Sequence, residues 1–229
     1  MPIEVIYPRK INESAKDYSF KNLLFNIATN ILPPGAAIEE AYIANKLNVS
    51  RTPVREAILR LNREHLIDIL PQKSTTVSLI DVDFIEQGLF ALQAIERAMI
   101  ETCSHFLDNL YLEKMDTILT ELPRCIELED TISFFQKQHS FHFLLFKGCK
   151  KEKVFDGLQY FYYHILRELM VAPDVFPLTP LVDNAKGMVD AFMSKDVKKA
   201  LMYHTFYMEH LSCDHEILKT AHPSYFPHM

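Results

Sequence analysis

Residues able to do chemistry fall into two groups. The first is Ser50, Arg51 and Thr52 with Arg55, inside the run IANKLNVSRTPVREAILRL at residues 43–61. An arginine fork donates two parallel hydrogen bonds to a planar acceptor edge, either guanine O6/N7 or a phosphate. A small hydroxyl reaches a phosphate without obstructing approach. Ser50 suits an N-cap and Pro53 falls in the first turn, where its missing N–H costs little. Arg51 and Thr52 then lie on the first turn, Arg55 follows one turn later on the same face, and the free N–H groups of the helix start favour an anion. The ordinary alternative is a solvated basic face. It is preferred for Arg60, an i,i+4 partner for Glu56, and for Arg63, which lies beyond reach of a ligand at the helix start.

The second group is histidine: His139, His142, His164, His204, His210 and His215. His139 and His142 are three apart on a helical pattern, as are Tyr207 and His210, and that spacing can chelate a metal. A metal-dependent sensor or enzyme would also need carboxylates, and the local run FFQKQHSFHFLLF supplies none. Core or surface histidines are the better reading, so no catalytic residue, metal ligand or cofactor is assigned.

The elements that must position these residues follow from periodicity. A first helix is expected from about Asp17 to Ile31, with Phe20, Leu23, Leu24, Ile27 and Ile31 on one face. Leu32-Pro33-Pro34-Gly35 would stop it. A short second helix turns Ile38, Tyr42, Ile43 and Leu47 inward. A tight Leu47-Asn48-Val49 turn leads into the helix opened by Ser50, which turns Val54, Ile58 and Leu61 inward. Two β-prone runs follow, Leu66–Leu70 and Thr75–Ile80, joined by a tip Pro71-Gln72-Lys73-Ser74 that places Lys73 and Ser74 outermost. This helix-turn-helix plus hairpin puts the start of the second helix where it can enter a major groove. Beyond Asp81 the pattern is helical throughout: 82–107, 109–127, 130–148, 152–171, 179–194 and 196–220. Six helices with short connections imply an antiparallel bundle. The fold class is therefore mainly α, with a winged helix-turn-helix domain at 1–80 and an all-helical domain at 81–229.

Charge agrees once the chain is divided. The net charge of −6 argues against a nucleic-acid partner, yet residues 1–80 hold 10 basic against 8 acidic residues and the remainder 14 against 22. Only the field near the contact surface matters for such a partner. No apolar run is long enough to span a membrane. The first twenty residues lack the layout of a secretory signal, and Cys103, Cys125, Cys149 and Cys213 form no CxxC pair. A cytoplasmic protein with reduced thiols is expected.

The segments PPG, IANKLNVSRTPVREAILRL and ILPQKSTTV together resemble the GntR family of bacterial transcription regulators. The C-terminal part resembles its FCD-type effector domain, through Ala94–Glu96, Phe141-His142 and the segment Asp190–Asp196. The resemblance implies a homodimer that binds a short palindromic operator in double-stranded DNA. It also implies a small-molecule effector in the helical domain that releases or reshapes that complex. DNA contacts would fall on Ser50, Arg51, Thr52, Arg55, Lys73 and Ser74. The family commonly has a glycine where Ser74 stands. Many FCD domains hold a metal through an aspartate and three histidines. By register those positions here are Gln138, His142, Ala185 and Tyr207, so only His142 is retained, and a common pocket arginine aligns with Leu92. The resemblance thus implies a metal-free variant whose effector site includes His142, Tyr207 and Gln138. Its aromatic and methionine side chains suit a partly hydrophobic, acyl-like effector. A ligand-free dimerisation scaffold is the remaining alternative.

Overall fold

The computed structural model describes residues 3–227. In chain order the elements are α1 (Ala15–Ala28), α2 (Glu40–Leu47), α3 (Arg51–Arg63), β1 (Ile67–Leu70), β2 (Ser74–Val77), α4 (Val82–Cys103), α5 (Asn109–Glu127), α6 (Thr131–Gly148), α7 (Glu152–Leu169), α8 (Thr179–Met193), α9 (Val197–Leu211) and α10 (His215–Ala221). The protein is mainly α-helical, and its single sheet is the β1–β2 hairpin. Helix starts are set by side chains: Ser14, Asp108, Asp130 and Asp196 each accept a backbone N–H from three residues on. Among the described residues no helix is long and apolar enough to cross a membrane, and no disulfide joins the four cysteines.

The chain divides into two compact units. The first holds the residues through Asp81, with Leu166–Glu168 and the residues from Lys219 on. Within it, α1 and α2 pack on α3. Val54, Ala57, Ile58 and Leu61 of α3 are buried together with Leu23 and Ile27 of α1 and Ile43 and Leu47 of α2. The hairpin pairs antiparallel from Ile67–Val77 to Leu70–Ser74, and Ala37 adds a bridge to Thr76 on the outer edge of β2. Arg167, fully buried in this unit, donates to the hydroxyl and carbonyl oxygens of Ser78. Burial lowers its pKa to about 10.

Three boundaries differ from the periodicity, each for a local reason. α1 stops at Ala28 rather than Ile31, because Asn30 turns left-handed (φ 55°) and the Leu32 N–H closes back on the Asn26 carbonyl. β2 ends at Val77 rather than Ile80, whose N–H turns away to the carbonyl of Tyr225. An extended N-terminal arm is also held on α1, and its signal was not read. Fully buried Asn26 clasps the N–H and carbonyl of Glu4 (both 2.8 Å), and Asn22 does the same for Tyr7.

The second unit, Val82–Ile165 with Leu169–Leu218, is a helical bundle in which α8 packs on α9, α5 on α6 and α8, and α4 on α9. The pattern over 196–220 is two helices, not one. α9 ends at Leu211, Ser212 is extended, and the Asp214 carboxylate caps the start of α10 at the Glu216 N–H, 3.0 Å away. Gly187 is required by close approach, since a Cβ there would strike the Tyr203 ring.

At the C-terminal ends of helices, Lys150 and Lys195 adopt φ of 55° and 58°, where L side chains crowd the backbone. Exposed Lys195 has no packing role that would offset that crowding. Lys195→Gly is therefore expected to stabilise the protein by about 1 kcal/mol in urea denaturation. A loss of stability would show that the left-handed turn carries no strain.

Candidate nucleic-acid interface and bundle cavity

Burial of one side of α3 leaves Arg51, Thr52 and Arg55 together on its exposed side. Ser50 precedes them with extended backbone (φ −71°, ψ 167°) in the N-cap position, but its hydroxyl makes no capping bond. That hydroxyl, expected to be spent on the helix, is left available. Among the described residues no ion pair or hydrogen bond engages the guanidinium of Arg51 or Arg55. Arg60 differs. It pairs with Glu64 at 3.1 Å and lies 3.5 Å over the Phe20 ring, so the expected Glu56–Arg60 pair is not formed. Glu56 instead faces Lys16 at 4.0 Å. The cation over the ring anchors α3 to α1 and withdraws Arg60 from the free face.

Lys73 and Ser74 are exposed at the hairpin end, with Ser74 opening β2. The tip's left-handed residue is Gln72 (φ 60°). Absence of a glycine at Ser74 therefore imposes no backbone strain there. Gln138 and His142 on α6 and Tyr207 on α9 are also brought together, all buried. His142 Nε2 lies 2.9 Å from the Tyr207 hydroxyl, which donates to Gln138 Oε1 at 3.0 Å.

Sequence reading missed the centre of this network. The carboxylate that the local sequence of His142 lacks comes from α4. Glu96 is fully buried and accepts from His142 Nδ1 at 2.7 Å and from His204 Nε2 at 3.0 Å. The premise that His142 has no carboxylate partner is thus corrected. A signal existed: Glu96 continues the stripe Ile85, Leu89, Leu92 and precedes Met99 on the inward side of α4, where a lone carboxylate demands a partner.

Burial by itself would push the Glu96 carboxyl up, but the charges and hydrogen bonds of His142 and His204 outweigh it and bring it down to about 2. Burial, then the nearby Glu96 charge, pushes the Tyr207 phenol well above its ordinary range. With both Glu96 oxygens and both His142 nitrogens engaged, the cluster leaves no lone pairs converging on a metal. Among the described residues no group of three or more His, Cys, Asp or Glu is arranged to hold one. Ala185, fully buried, can offer no ligand atom.

Beside this network is a cavity of about 30 Å³, lined by Gln138, His142, Tyr207, Leu92, Phe135 and Leu158 among others. Leu92 is apolar wall, as the alignment with the missing arginine requires. Elsewhere, His139 sits 2.9 Å from Gln159 Oε1, and burial lowers its pKa. His210 bonds within its own helix region and is exposed, and neither it nor His139 joins the cluster.

The comparisons agree with this geometry. Residues 20–77 match the family described as "Bacterial regulatory proteins, gntR family". The HTH-type transcriptional repressor RspR of Escherichia coli K12 is 28% identical over 140 residues, covering 61% of this chain and 61% of its own length. An HTH-type transcriptional regulator of Streptomyces ambofaciens is 31% identical over 117 residues, covering 51% and 48%. The match thus spans about three-fifths or less of these relatives. Among solved structures, E. coli McbR/YncC superposes with a TM-score of 0.77 at 18% identity, covering 92% of this chain and 99% of its own. A GntR transcriptional regulator from Rhodococcus sp. RHA1 gives 0.72 at 21%, covering 86% and 95%. At such identity the likeness is one of fold, and it extends through the helical domain. Fold and site together define a winged helix-turn-helix protein with an all-helical C-terminal domain. The chain is a member of the GntR family, whose relatives named here are transcription regulators rather than enzymes.

A carboxyl lowered on folding from 4.5 to about 2 contributes stability above pH 4.5 that is lost as pH falls through that interval. Glu96→Gln removes the charge that both histidines face. It is expected to cost ~3 kcal/mol at neutral pH and to flatten the acid-side stability profile. Chemical denaturation of both proteins from neutral pH to pH 2 checks this; superimposable profiles would show that Glu96 is not ionised in the fold.

Proposed function

We propose that this protein is a DNA-binding transcription regulator that acts as a homodimer on a short palindromic operator, with an affinity set by a small-molecule effector. The supporting observation is the exposed face of α3, where Arg51, Thr52 and Arg55 stand at a helix start with unengaged guanidinium groups. In this reading α3 enters the major groove, and Arg51 and Arg55 contact guanine edges or flanking phosphates. Ser50 and Thr52 hold the backbone, while Lys73 and Ser74 on the hairpin reach the neighbouring groove or phosphate. Residues 1–80 form the DNA-binding domain and residues 81–229 the effector and dimerisation domain of a cytoplasmic protein. The effector, partly hydrophobic, occupies the bundle beside Gln138, His142 and Tyr207. It favours one arrangement of the dimer, so that the two recognition helices match or miss the half-site spacing.

A duplex selected from random sequence by the full chain provides the operator for the test. Affinity is expected to fall steeply with salt, as phosphate contacts release counterions. Arg51→Ala and Arg55→Ala are each expected to weaken specific binding by about 1–3 kcal/mol. Full-strength binding by the double variant would overturn the assignment of α3. For the effector, thermal denaturation against a metabolite collection is the direct screen: a ligand at 100 times its Kd adds about 2.7 kcal/mol. A hit that leaves operator affinity unchanged would separate ligand binding from control.

A further inference from the structure

We infer that the bundle cavity takes a compact, uncharged ligand through a carbonyl oxygen, and that the Gln138 amide is the group that selects it. The inference rests on the effector reading above and specifies its chemistry.

Gln138 is 3% exposed, and its Nε2 is buried with no hydrogen-bond partner among the described residues. Its other amide atom is committed, because the Tyr207 hydroxyl donates to Oε1. The hydroxyl is itself placed by His142 Nε2 at 2.9 Å, and His142 by the Glu96 carboxylate at 2.7 Å. This relay fixes which end of the amide is bound and which is left over. The leftover end is a donor on the cavity wall. A buried donor without an acceptor carries a penalty of about 1–3 kcal/mol, which a ligand oxygen would remove.

The other polar groups of the wall narrow the choice. Gln159 Oε1 faces His139, and the Tyr162 hydroxyl donates to the Phe135 carbonyl. The open hydrogen-bonding position at the wall is therefore a donor, which a ketone-like oxygen satisfies without bringing an N–H or O–H of its own. No lysine or arginine lines the cavity, and the nearest buried carboxylate, Glu96, bears negative charge. A carboxylate ligand would lose its hydration without gaining a cation, a cost of several kcal/mol. The volume of about 30 Å³ equals roughly one water molecule's share of the liquid, which suits a carbonyl group with a short apolar body.

Butanone and propionate are a matched pair, equal in heavy atoms and differing in charge. Both are titrated into the ¹⁵N-labelled full chain while the side-chain NH₂ resonances of Gln138 are followed. These are identified by their loss in Gln138→Leu, with through-bond assignment in the unsubstituted protein if that variant does not fold. Butanone is expected to shift the Gln138 NH₂ signals saturably, with affinity about tenfold lower in Gln138→Leu, the equivalent of one hydrogen bond. No saturable shift with butanone, or an equal or stronger response to propionate, overturns the inference. Operator affinity measured alongside separates the two levels. Butanone binding at Gln138 with unchanged operator affinity supports the carbonyl site and refutes effector control through it. Propionate binding that alters operator affinity keeps effector control and refutes the neutral-carbonyl site.

Discussion

The two-sidedness of α3 is the constraint on which the first unit depends. Val54, Ala57, Ile58 and Leu61 are at most 2% exposed. Their burial against α1 and α2 fixes the helix in rotation about its own axis. Arg51, Thr52 and Arg55 are outside because those four are inside. Turning the helix by one residue, about 100°, would bring an arginine towards the apolar contact, at a cost of several kcal/mol for an unpaired buried charge. Arg60 over Phe20 and its pair with Glu64 pin the far end. The hydrophobic core of a small unit thus orients a polar face that makes few contacts of its own.

The bundle reaches its specificity by the opposite route, through charge placed inside. Glu96 has two oxygens and two imidazole donors, so the carboxylate is fully paired although no water reaches it. Leaving such a charge without partners would cost far more than the pairing gains, so α4, α6 and α9 are held in one register. The positions at which many FCD domains hold a metal are here occupied by a hydrogen-bonded chain from Glu96 through His142 and Tyr207 to Gln138. Its last member presents an unmatched donor to a small apolar space. That donor is a consequence of the fixed order of the chain.

Much of the fold could be read from the sequence because local chemistry announces it. Prolines, capping serine and aspartates and apolar spacing mark the helices from α1 to α9, and the wing follows from two β-prone runs around a polar tip. What local chemistry could not convey was set by distant partners. Asn30 ends α1 three residues before the prolines by taking a left-handed turn. Asp214 restarts a helix where hydropathy alone looks continuous. Glu96 is 46 residues from His142 and 108 from His204, so no local window could join them. Its place within an apolar stripe was nonetheless visible. Likewise Asn22 and Asn26, four apart on a buried face, were polar residues in search of backbone partners, which the N-terminal arm supplies.

Guanine N7 methylation interference on an operator selected by the full chain asks most directly whether α3 enters the major groove. Methyl groups at N7 project into that groove and block arginine contact there without altering the minor groove. Interference at guanines within two symmetry-related half-sites is the expected result. Specific binding that survives methylation at every guanine of a guanine-containing operator would contradict groove reading by Arg51 and Arg55.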